Sequence, residues 1–133
     1  MTETDPIWHE FRNAVYGRAF TEAEALLRKI PQLISITNGI GETALHFLAV
    51  ENNVEGVSWL HSKGADINTK NHFGIPVIFE VAQLGYKDLL IWFVGKEADI
   101  YAKDKDGQDI FEFLHEFDKD EMAEWIRNHD FST

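Results

Sequence analysis

Gly41-Glu42-Thr43-Ala44-Leu45-His46 and Gly64-Ala65-Asp66-Ile67-Asn68 frame the stretch that decides the fold. Between them the pattern is helical twice over. Thr43 can open a first helix, because its hydroxyl accepts a hydrogen bond from the unpaired N–H groups of the first turn. Ala44, Leu45, Leu48 and Ala49 then fall on one helical stripe. Asn52-Asn53 breaks it, since Asn tolerates the left-handed backbone that such a turn needs. Val54, Val57, Trp59 and Leu60 make a second apolar helix, which Lys63-Gly64 ends. Residues 66–73 are polar and turn-rich and predict a hairpin-like connection.

Outward from this unit the pattern returns. Gly41, Gly74 and Gly107 stand 33 apart, as do Trp59, Trp92 and Trp125. Gly64-Ala65-Asp66-Ile67-Asn68 comes back as Glu97-Ala98-Asp99-Ile100-Tyr101. A fixed period of this length marks stacked supersecondary units, each burying its core against its neighbours. Pro76 takes the place of Thr43, so the second unit loses a hydroxyl cap and Ile75 is biased toward an extended backbone. Phe79 replaces His46, and Glu97 replaces Gly64 at a position suited to positive φ. At the N-terminal end, 11–27 predicts two helices about Gly17-Arg18, with Thr21 and Glu24 as a capping box. Aligning this unit needs one inserted residue. At the C-terminal end Gly107 keeps phase, and Asp118 with Glu121 predicts another cap.

The chain resembles the ankyrin repeat family. The family's opening Gly-x-Thr-Pro-Leu-His is similar to Gly41 through His46, and its closing Gly-Ala-Asp-x-Asn to Gly64 through Asn68. The resemblance implies an all-α, ankyrin-like helical solenoid of about four helix-turn-helix units joined by β-hairpin-like loops. It forms one domain over 1–133: an N-terminal capping unit (5–37), repeats at 38–70 and 71–103, and a C-terminal capping unit (104–133). It also implies a structural role for His46, tying backbone and threonine across repeats. The expectation for Trp59, Trp92 and Trp125 is a continuous inter-repeat core, with Trp92→Ala costing about 3–5 kcal/mol.

Composition narrows the function. With 44% hydrophobic residues and 17 aromatics (10 Phe, 4 Trp, 3 Tyr) a packed core is expected rather than disorder. No apolar run approaches a membrane span, and the polar N-terminus does not fit a secretory signal. The chain reads as a complete protein. Without cysteine there is neither a disulfide nor a thiolate metal site, and a reducing cytoplasm is the simplest home. The net charge of −11 opposes nucleic acid and anionic membranes. Ten acids against three bases in residues 104–133 concentrate −7 of it there, either as a solvated end unit or as a steering patch for a basic partner.

No constellation points to catalysis. Placing Asp104-x-Asp106-Gly107 on a calcium loop would put Ala102 and Phe113 at ligand positions. None of the six histidines forms His-Glu-x-x-His, and His115 stands where the central unit has Ala49. Phosphate-binding loops and nucleophile elbows are missing, so no enzyme activity, cofactor or metal is expected. A carboxylate hydrolase is the remote alternative.

Carried onto this chain, the family's contact positions are Gly39, Ile40, Glu42, Val50 and Glu51 in the central unit. The next unit contributes His72, Phe73, Ile75, Gln83 and Leu84, and the C-terminal unit Lys105, Asp106, Gln108, Glu116 and Phe117. Ile40, Val50, Phe73, Ile75 and Leu84 are apolar where solvation alone favours polar residues, which suits either a partner or packing against the next hairpin. The expected interface centres on Phe73 with Ile40, rimmed by Glu42, Glu51 and Asp106. The expected function is a non-enzymatic protein–protein interaction module. The alternative is an acidic inhibitor or immunity-type protein that blocks a basic enzyme such as a nuclease. A monomer or weak homodimer follows, the latter through a self-pairing Ile40/Phe73 patch.

Overall fold

Four helical pairs follow one another in the computed structural model, which describes residues 6–131. The first pair is α1 (Pro6–Tyr16) and α2 (Phe20–Lys29), followed by a 3-10 turn (Pro31–Ile34). Then come α3 (Ala44–Val50) with α4 (Val54–Ser62), α5 (Val77–Gln83) with α6 (Lys87–Gly95), and α7 (Ile110–Glu116) with α8 (Asp120–Asn128). Among the described residues there is no strand, only an isolated antiparallel bridge between Lys70 and Pro76. The all-helical fold expected from the sequence is thus the fold observed.

One backbone device is used in every pair. Arg18, Asn52, Gly85 and Asp118 sit in the inter-helix turns with φ of 62°, 56°, 78° and 57°. The last three are 33 apart and Arg18 is 34 before Asn52, which locates the extra residue in the first unit. In each case the following residue is the N-cap of the second helix: Ala19, Asn53, Tyr86 and Lys119. Only Asn53 caps with its side chain, accepting from Gly56 N at 2.9 Å. This corrects two expected caps. Thr21 lies inside α2 rather than ahead of it, and Asp118 is itself the left-handed residue.

First helices start differently. Thr43 Oγ1 accepts from His46 N at 3.2 Å, as its sequence position predicts. Pro76 has no side-chain cap. Asp109 and Glu112 form a full capping box on α7. Glu97, in the Gly64 position, adopts φ of 68° and so carries the strain of a side chain in the left-handed region.

Between pairs, each hairpin rests on the next. Asn38, Asn71 and Asp104 repeat one turn, their side-chain Oδ1 accepting two backbone N–H groups each: Ile40 and Glu42, Phe73 and Ile75, Asp106 and Gln108. His72 N donates to Ile40 O at 2.9 Å, linking successive tips. A Cβ on Gly41 would collide with the His72 ring and backbone, and one on Gly74 would lie 2.6 Å from Lys105 Cβ. Those two glycines therefore let consecutive hairpins approach.

The core runs through the first helices and the inner faces of the second. Leu45, Leu48, Val57, Leu60, Phe79, Leu89, Leu90, Phe93, Ile110 and Leu114 are fully buried. The three tryptophans are not. Trp59, Trp92 and Trp125 are half-buried against this core. Each does reach back one unit. Trp59 stacks on Phe20 at 5.5 Å, Trp92 meets His61 edge-on at 5.6 Å, and Lys87 Nζ lies 5.1 Å from the Trp125 ring centre. The expected interior seam is therefore an inter-repeat seam along the outer helices. It is half-wet because one face of each indole has no further layer to cover it. The fully buried indole is Trp8, whose Nε1 donates to Ile36 O at 2.8 Å. Lys63 bridges Glu24 of the first unit at 2.6 Å, and this hydrogen bond holds the Glu24 carboxyl below the usual carboxylate range.

Candidate interaction groove and the slots between repeats

The register that stacks the helices also brings three equivalent sets of side chains together, one per interface. Between the first and second units Arg12 lies 4.5 Å from the Phe47 ring centre and 5.5 Å from that of Trp8. Between the second and third, His46 Nε2 is 3.0 Å from Glu80 Oε1 and 3.9 Å from Glu42 Oε2. Between the third and fourth, the rings of Phe79 and Phe113 tilt together at 5.2 Å, and Ile75 and Phe113 line the same surface groove. Glu42 and Ile75, His46 and Phe79, Glu80 and Phe113 each stand 33 apart. The same slot is thus filled by a cation on rings, then by a polar trio, then by an apolar trio.

The apolar slot opens into a groove on the hairpin side of the last two units. Phe73 and Phe117 flank it, 56% and 45% exposed, above Ile75 and Phe113. Asp104, Asp106, Gln108 and Glu116 supply polar walls, and Lys105 is the one base among the lining residues. Gln108 Nε2 donates to Glu116 Oε2 at 2.8 Å, fixing one carboxylate at the rim. Phe117 also contacts Phe113 at 4.9 Å, so the groove floor is preformed. Aromatic side chains present large apolar area with few rotors, which suits a recognition surface.

Seven of the positions carried over from the family meet here: Phe73, Ile75, Lys105, Asp106, Gln108, Glu116 and Phe117. Gly39, Ile40 and His72 are exposed on the adjoining tips. The remainder lie elsewhere. Gln83 and Leu84 line a second depression with Lys87, Asp118, Lys119 and Asp120, at the inter-helix turns. Glu51 belongs to a third, beside Tyr16, Arg18 and Asn53. Val50 is half-buried and its carbonyl accepts from Tyr86 Oη at 2.9 Å. Glu42 is a correction: it is only 6% exposed, with Asn38 Nδ2 donating to its Oε1 at 2.9 Å. A residue so enclosed cannot rim an interface. Its place in the polar slot, beneath the hairpin, is the reason.

His46 is wholly buried, and it ties the repeats through a side chain of the next unit rather than through backbone and threonine. Its Nε2 faces Glu80 of the next unit, whose Oε1 also accepts from Asn71 Nδ2 at 3.0 Å. Carboxylates only accept, so Nε2 carries the donated proton. His46 Nδ1 has no hydrogen-bond partner. No His-Glu-x-x-His spacing marks this trio; its signal in the sequence is the 33-residue register, which places Glu80 opposite His46. In the last unit His115 is exposed, and its Nδ1 lies 2.9 Å from Asp120 Oδ1. That hydrogen bond, followed by the Asp120 charge, raises the imidazole pKa above its ordinary value.

The family model described as ankyrin repeats (many copies) matches residues 45–94, from α3 to the end of α6. Residues 45–94 are thus matched as ankyrin repeats, and the four stacked helical pairs share their register. Ankyrin repeats generally mediate protein–protein interaction and are typically non-enzymatic. Among the described residues no helix is long and apolar enough to cross a membrane.

Proposed function

We propose that this chain is a protein–protein interaction module that holds a basic, apolar-anchored segment of a partner in the groove between its last two units. The observation that supports this is the pairing of two exposed aromatics, Phe73 and Phe117, with carboxylates of Asp104, Asp106 and Glu116 around a preformed apolar floor. An aliphatic or aromatic anchor would sit on Phe113 and Ile75, and flanking Lys or Arg would meet the acids. The excess of acids in residues 104–133 raises the encounter rate with such a partner.

Selection of a random displayed-peptide library against the protein tests the reading. Enriched peptides should carry an apolar anchor beside Lys or Arg. Phe73→Ala should weaken their binding by about 2 kcal/mol while the melting temperature stays put. Peptides lacking basic residues, or full affinity in the folded variant, would contradict it. An inhibitor of a basic enzyme is the sharper form of the same reading, supported by the same acidic surplus. Its association rate should fall steeply above about 0.15 M salt, whereas an apolar adaptor's should barely change.

A further inference from the structure

We propose that Glu42, His46 and Glu80 form a divalent transition-metal site, suited to Zn2+, that staples the second repeat to the third. Three observations carry it. One imidazole nitrogen and two carboxylate oxygens lie within 4.8 Å of one another. In a tetrahedral zinc site, ligand atoms about 2.0–2.2 Å from the metal stand about 3.3 Å apart. The observed His46 separations, 3.0 Å to Glu80 and 3.9 Å to Glu42, bracket that value.

The side chains are also held. Asn38 and Asn71 donate their amides to Glu42 and Glu80, and the same two asparagines are locked by their own hairpin turns. Such outer-shell hydrogen bonds orient ligands before a metal arrives. Finally, the site is enclosed but reachable. The His46 side chain is 0% exposed and that of Glu80 19%, which leaves one open side for entry and for a water as fourth ligand.

The proton balance is simple. Zn2+ takes the Nε2 lone pair of the other tautomer, so the proton that Nε2 donated to Glu80 moves to Nδ1 and the ring stays neutral. Nδ1 faces no partner. Metal-bound histidines usually donate that second N–H, and its loss weakens affinity by about 10–100-fold. The site is therefore of modest affinity. Its two sides belong to different repeats, so loading it should resist their separation.

The test is calorimetric titration of the chelator-treated full chain with ZnCl2, with thermal melts in parallel and nitrogen NMR of His46. The expected result is one saturable equivalent, a melting temperature that climbs with Zn2+ concentration, and a His46 spectrum with Nε2 metal-bound and Nδ1 protonated. Glu80→Gln, at a partly exposed position, should fold and lose at least about tenfold in affinity; His115→Gln, at the exposed pair, should bind as the parent does. Absence of a saturable equivalent would overturn the proposal. So would an equivalent that survives Glu80→Gln or vanishes with His115→Gln.

Discussion

The interface between the second and third repeats and the one between the third and fourth use the same positions for opposite chemistry. In the first, Glu42, His46 and Glu80 make a polar slot held by two asparagines. In the second, Ile75, Phe79 and Phe113 make an apolar one whose floor continues into an open groove. The stacking register fixes where side chains meet but not what they are. An apolar slot supplies burial and leaves aromatic surface for a partner. A polar slot fixes the register, since its hydrogen bonds have a single good geometry, and gives little net stability.

The largest expected effect lies in the apolar slot. Phe79→Ala removes a fully buried ring packed on Phe113 and should cost about 3–5 kcal/mol, read from the denaturant midpoint. A loss under about 1 kcal/mol would mean that the slot is loosely filled. In the polar slot, Glu80→Ala should cost about 1–2 kcal/mol, because His46 Nε2 is left without its acceptor. The paired change His46→Phe with Glu80→Phe copies the other interface and should be neutral or stabilising by about 1 kcal/mol. Additive losses in the pair would break the equivalence of the two slots.

Outside the slots the effects shrink. Trp92→Ala should cost about 1–3 kcal/mol rather than the full value for a core aromatic, because the indole is half-exposed. Glu97→Gly relieves a left-handed side chain and should stabilise by about 0.5–1 kcal/mol, measured as a rise in the denaturation midpoint. His115 gives the smallest. Its pKa is raised in the folded chain by Asp120, so the favourable contact is present below the ordinary imidazole pKa and fades as pH climbs through the folded value. Asp120→Asn should lower the NMR titration midpoint of His115 toward about 6.5. An unmoved midpoint would show that the pair does not form.

The architecture was legible because one period governs backbone conformation as well as side chains. Thr43, Asn52 and Gly64 announced their roles directly, and the structure uses each of them so. Thr21 and Asp118 were misread because a capping signature records only a possible hydrogen bond. The left-handed residue ahead of each second helix decides where that helix starts, and the phase of Asn52 already implied it at Asp118 and, allowing for the inserted residue, at Arg18. Tryptophan depth was misjudged because periodic position does not say whether a further layer covers the outer helices. Within the groove, Phe73 and Phe117 were readable as exposed aromatics at contact positions. Glu42 was not, since its burial depends on Asn38 and on a histidine that faces the next repeat.

Amide chemical-shift mapping with a selected basic, apolar-anchored peptide tests the central claim most directly. The account predicts saturable perturbations grouped at Phe73, Ile75, Asp106, Gln108, Glu116 and Phe117, with the outer helices carrying Trp92 and Trp125 left unmoved. Perturbations centred on those two tryptophans, with the groove silent, would contradict it.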